Sequence, residues 1–89
     1  MLGRSRARTR QPMSARELLA INLIKQRARL GWSQEALAFE AGLHRTFVAH
    51  VERQARNISL DNIERLALAL KVPIHTLLQP PRSRQADGE

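Results

Sequence analysis

Arg45, Thr46 and His50 have the side-chain types and spacing best suited to chemistry with a partner. That chemistry is hydrogen bonding to base edges rather than bond making. An Arg guanidinium offers guanine O6 and N7 a two-pronged bond worth about 1–3 kcal/mol of discrimination against a wrong base. Thr touches a thymine methyl or a phosphate, and His either donates or accepts. With His44, these residues occupy the polar side of a segment whose other side carries Phe47, Val48 and Val51. The spacing predicts a helix over 44–53 that buries its apolar side and exposes the other.

A reading helix needs a second element to hold it. Upstream, Ser33 is a good N-cap, and Gln34 to Ala38 are helix formers behind it. Glu35 places a negative charge at the positive end of that helix, predicted over 33–41. Gly42 takes a left-handed backbone at little cost, so it ends this helix and opens a tight turn. The run 31–51, GWSQEALAFEAGLHRTFVAHV, therefore reads as a helix-turn-helix, and the expected partner is double-stranded DNA.

The remaining elements frame this pair. Ser14 and Glu17 form a capping box for a first helix. Its stripe is Leu19, Leu23 and Leu30, with Arg27 interposed, and it stops at Gly31. Ser59 caps a fourth helix over Leu60 to Leu70, whose stripe is Ile63, Leu66, Ala67 and Leu70. Val72-Pro73 breaks it, and Pro73 suits the first turn of a short fifth helix, Ile74 to Leu78. No segment alternates with period two, so no sheet is expected. The fold class is all-α: a compact five-helix domain over residues 14–78, an Arg-rich arm over 1–13 expected to be disordered, and a flexible tail over 79–89.

Fifteen Lys and Arg against eight Asp and Glu give a formal charge of +7, which attracts polyanions. Four of the Arg lie in the first ten residues. That arm reaches into a minor groove, or only raises non-specific affinity, or precedes a true start at Met13. The chain has no Cys, which removes disulfides and thiolate chemistry and fits a cytoplasmic location. The apolar run Leu18 to Ile24 is too short and too interrupted to cross a membrane or serve as a secretion signal. His44 and His50 fall on different helix faces and His75 in another element, so no metal site is expected. No Gly-rich phosphate loop and no nucleophile with a placed base is evident; neither catalysis nor a cofactor is expected. Trp32 and Phe47 read as turn or core packing rather than as stacking platforms.

The pattern Arg27, Gly31-Trp-Ser-Gln-Glu-Ala-Leu-Ala38, Ala41-Gly-Leu-His-Arg-Thr46, Val51-Glu-Arg53, Arg56-Asn-Ile-Ser-Leu60 and Leu66-Ala-Leu-Ala-Leu-Lys-Val72 resembles the Cro/repressor (XRE) family of helix-turn-helix regulators. Within it, the chain is most similar to small stand-alone members such as restriction–modification controller proteins. The resemblance implies that Gln34 holds a phosphate and that Arg45, Thr46 and His50 reach bases or nearby phosphates. His44, Arg53, Arg56 and Asn57 are expected to complete the DNA-binding set. It also implies a buried Arg27–Glu52 pair tying the first helix to the end of the third. Two departures stand out. Gln54 occupies a position where Gly is common: either it takes a left-handed cap at a cost on the order of 1 kcal/mol or more, or the turn differs and re-aims the loop that carries Arg56. Gln26 replaces a common apolar residue, with Leu30 or Ile24 expected to fill the space.

Val72, Ile74, Leu77 and Leu78 are more apolar than a short terminal helix needs for its own packing. The expected use is a two-fold contact built on Ile74, Leu77 and Leu78, giving a homodimer that reads an inverted repeat. Three other readings stay open: an antitoxin-type interaction module of the same fold, a non-specific nucleic-acid binder living on its charge, and a basic peptide acting at membranes.

Overall fold

Polar side chains cap the starts of the first four helices, and left-handed residues close the first, second and fourth. The computed structural model describes residues 13–55 and 57–81, so most of the arm, most of the tail and Arg56 lie outside the described residues. Among the described residues there are five helices: α1 (Ala15–Leu30), α2 (Gln34–Ala41), α3 (Arg45–Glu52), α4 (Leu60–Leu70) and α5 (Ile74–Leu78). There is no strand among them.

The capping box forms as expected: Ser14 Oγ accepts from the Glu17 amide, and Glu17 Oε1 accepts from the Ser14 amide. Ser33 and Ser59 cap α2 and α4 through their hydroxyls. α3 departs from expectation. His44 is not its first helical residue but its N-cap, and its Nδ1 accepts from the Thr46 amide at 3.1 Å. Pro73 likewise stands at the N-cap of α5, with no side-chain cap bond.

Gly42 ends α2 at φ +72°, returning the Leu43 amide to the Ala38 carbonyl at 2.8 Å. A methyl group there would meet nothing nearer than Arg65 Nη1 at 3.8 Å. The backbone angle, rather than space, is what asks for glycine. Two other left-handed positions are not glycine. Gln54 (φ 62°) follows α3 and takes the left-handed cap, the first of the two alternatives at that position. Lys71 (φ 60°) closes α4 one residue before the expected break at Val72-Pro73.

α2 packs on α3 and α4, while α1 packs on α3 and α5, so α3 is gripped from both sides. Leu23, Leu37, Val48, Leu66 and Leu77 are completely buried at the centre. Leu30 and Ile24 do not fill the space expected of them; both are exposed, and Gln26 instead accepts a hydrogen bond from Arg29. The core stripe of α1 ends at Leu23, because the next turn carries Arg27 to a polar partner.

Two features of α5 correct the reading. Leu77 has no accessible surface, so it belongs to the chain's own core and cannot touch a second copy. Asn22, which interrupts the apolar run of α1, is buried, and its amide donates to the Leu77 and Gln79 carbonyls at 3.1 and 2.8 Å. A buried amide with both protons bonded pins the C-terminal end of α5 to α1.

Candidate nucleic-acid interface

The interface is built outward from one carboxylate. Glu52, at the last turn of α3, is 5% exposed and takes Arg27 Nε on Oε2 at 2.8 Å and Arg27 Nη2 on Oε1 at 2.9 Å. Arg27 Nη1 donates to the Trp32 carbonyl at 2.9 Å, so one guanidinium ties α1, the α1–α2 turn and α3 together. Paired forks of this kind are charge-assisted and fix orientation. The hydrogen bond to Glu52 holds the guanidinium above its ordinary pKa despite its partial burial, so it stays charged.

Glu52 Oε1 also accepts from Gln34 Nε2 at 2.8 Å. The first residue of α2 is thereby latched to the last of α3. Sequence reading assigned Gln34 to a phosphate and missed this latch, which closes over eighteen residues and has no local pattern. Val48 and Val51 seat the middle of α3 in the core, and Phe47 is half-buried against it rather than fully buried.

With its inner face fixed, α3 presents Arg45, Thr46, Ala49 and His50 outward, and Arg53 follows at its C-cap. Together with Ser33, Gln34 and Glu35 they line an open concavity of about 510 Å³. Five of the expected DNA-binding residues thus converge: Gln34, Arg45, Thr46, His50 and Arg53. The others do not. His44 turns its ring back to cap α3 and lines a separate cleft beside Phe39. Asn57 sits against α1, where its Oδ1 accepts from Arg16. Arg56 lies outside the described residues.

His50 is half-buried rather than exposed, and its Nδ1 is buried without a hydrogen-bond partner. Glu35 was read only as a charge at a helix end. It stands in the concavity with Oε2 3.8 Å from Arg45 Nη1, both side chains well exposed. The pairing could have been suspected only by placing the first turn of α2 against the first turn of α3. The positive end of α2, two Arg and several uncharged donors can meet a polyanion whose edges also carry acceptors. Among the described residues no group of three or more His, Asp or Glu could hold a metal ion, and no helix is long and apolar enough to cross a membrane.

Known proteins share this fold. The chain is 51% identical over 69 residues to a hypothetical transcription factor from Neisseria meningitidis serogroup B, covering 78% of this chain and 65% of that protein. The crystal structure of that Neisseria factor superposes with a TM-score of 0.74 over 75% of each chain. The control protein C.BamHI of Bacillus amyloliquefaciens is 56% identical over 46 residues, 52% of this chain and 57% of that one. The restriction–modification controller protein C.AhdI of Aeromonas hydrophila is 44% identical, with a TM-score of 0.67 over 70% of this chain and 94% of that one. The matched segment thus spans less than two thirds of the Neisseria factor and of C.BamHI. Residues 23–77 match the helix-turn-helix family model, from the middle of α1 to the end of α5. That stretch contains the latch, the turn and the whole concavity, and the chain belongs to the helix-turn-helix family.

Proposed function

We propose that this chain is a sequence-specific regulator of transcription that binds double-stranded DNA as a homodimer and performs no catalysis. The observation that carries the reading is the convergence of Arg45, Thr46, His50 and Arg53 on one face of α3, beside the N-terminus of α2. In this reading α3 enters the major groove. Arg45 and Thr46 meet base edges, and His50 lies deeper along the helix. Arg53 and Gln34 meet phosphates on either side. Gln34 spends one amide proton on Glu52 and keeps the other, and its backbone N–H at the start of α2, for a phosphate oxygen. Regulation then follows from occupancy, with the bound protein blocking or recruiting polymerase. The names of the controller relatives support the same role.

An eight-residue helix reads only a few base pairs, so specificity in a genome asks for two of them. A two-fold dimer would set its recognition helices about 34 Å apart on an inverted repeat. Ile74 and Leu78, half-buried on α5, supply apolar surface for that contact, and Leu77 does not.

Selection of random duplex DNA at physiological salt, followed by sequencing of what the protein retains, tests the whole reading. The expected outcome is an inverted repeat with half-sites about one turn apart. Retention without any motif would mean that the charge binds and α3 does not read, and the proposal would fall.

A further inference from the structure

Among the described residues Glu35 is the one acidic side chain lining the concavity, and its structural use is confined to a first-turn charge at the helix dipole. Its side chain is 73% exposed, and its partner Arg45 is 67% exposed at a distance of 3.8 Å. A pair that long and that wet contributes little to stability. Ser33 already caps α2, so the helix does not depend on Glu35 for its start. The position is nonetheless unfavourable for a plain polyanion binder. Glu35 sits in the first turn of α2, where backbone N–H groups and the helix dipole favour a phosphate, and it carries the same sign as that phosphate.

From this placement we propose that Glu35 is a specificity-determining residue that orients Arg45 toward base edges and penalises its diversion to phosphate. The inference rests on the functional reading above and extends it. A guanidinium has five N–H donors. Arg45 bonded to guanine O6 and N7 still has donors left for Glu35, so in a matched complex both charges stay compensated. On an unmatched sequence binding relies on phosphate contacts. Arg45 then moves to the backbone, and Glu35 is left uncompensated among negative charges. The carboxylate therefore costs little in the matched complex and opposes the unmatched one. A repulsive element of this kind buys specificity that attraction alone does not supply.

The test compares wild type with Glu35→Gln, which keeps the shape and removes the charge. Affinity is measured for the selected sequence and for unrelated duplex across a salt series. Non-specific affinity of the variant is expected to rise about threefold to fivefold, the size of an exposed charge–charge interaction. Its dependence of log affinity on log salt is expected to steepen by about one. Affinity for the selected sequence rises less than non-specific affinity, so the specificity ratio falls, and the thermal midpoint drops only slightly, through the loss of a first-turn charge at the helix dipole. In an Arg45→Ala background the same substitution should leave the ratio unchanged, because Glu35 acts through Arg45. An unchanged ratio and salt slope in the single variant would overturn the proposal. So would discrimination lost at one cytosine with non-specific affinity constant, since that outcome makes Glu35 a base reader. If the wild type itself shows no sequence preference, the functional reading fails and takes this one with it. If the wild type discriminates and Glu35→Gln discriminates equally well, only the role of Glu35 is lost.

Discussion

α3 carries an Arg–Glu pair at each end, and the two pairs behave as opposites. At its C-terminal end Glu52 meets Arg27 through two hydrogen bonds, with 5% and 19% of the side chains exposed. At its N-terminal end Arg45 and Glu35 stand 3.8 Å apart with most of both side chains in water. The charges are the same, and the solvent differs. Water screens the outer pair and leaves its Arg free to change partners, whereas the inner pair is largely shielded from solvent and holds three segments in place. One helix is thus anchored where it meets the core and uncommitted where it faces the open concavity.

The sharpest way to break this contrast is Glu52→Ala. The substitution strands the Arg27 guanidinium, partly buried, and also removes the acceptor of Gln34 Nε2. Breaking one side of a buried pair costs about 3–5 kcal/mol, and the residual exposure of Arg27 places the expected loss near 3 kcal/mol. Urea titration followed by circular dichroism measures it. A loss below about 1 kcal/mol would mean that the inner pair is no stronger than a surface pair, and the contrast would collapse.

Arg45→Ala probes the other end. Loss of an exposed Arg should change stability by less than about 0.5 kcal/mol. Loss of a two-pronged guanine contact should remove about 2 kcal/mol of discrimination at one position of each half-site. Binding to every single-base variant of the selected sequence reads the effect position by position. Uniform weakening across all variants would move Arg45 from base to phosphate and make the N-terminal end of α3 a backbone anchor.

How much of this was legible in the sequence depends on how far each contact reaches along the chain. Ser14, Ser33, Ser59, Gly31 and Gly42 act on amides and carbonyls within a few residues, and they mark helix ends correctly. The Arg27–Glu52 pair came from family resemblance, because nothing local ties residues twenty-five apart. The latch from Gln34 to Glu52, the clamp of Asn22 on α5 and the approach of Glu35 to Arg45 are tertiary and were not read. Asn22 did leave a signal, since an amide inside an apolar stripe asks for buried partners. His44 was misread for a different reason. Imidazole is an uncommon N-cap, and only the backbone geometry reveals that its Nδ1 faces the Thr46 amide. Of the expected DNA-binding residues, those on α3 and at the start of α2 converged because helical periodicity fixes their direction. Asn57, on an irregular loop, had no such rule.

Gln54→Gly gives the smallest effect and refines the contrast instead of breaking it. Gln54 holds φ 62° two residues after Glu52, and its backbone closes α3 through the Gln54 and Ala55 amides on the Val51 and His50 carbonyls. A residue with a Cβ pays about 1–2 kcal/mol for that conformation, while glycine does not. Glycine also gains entropy in the unfolded chain, which offsets part of the relief. The net expectation is a stabilisation of about 0.5–1 kcal/mol, read as a higher denaturant midpoint with unchanged slope. If the C-terminal end of α3 is anchored by Glu52, relieving the cap cannot re-aim Arg45, more than two turns away, and base discrimination stays the same. A changed sequence preference in this variant would show that strain behind Glu52 travels the length of the helix. The two ends would then be coupled, and the anchor would be part of the reading head.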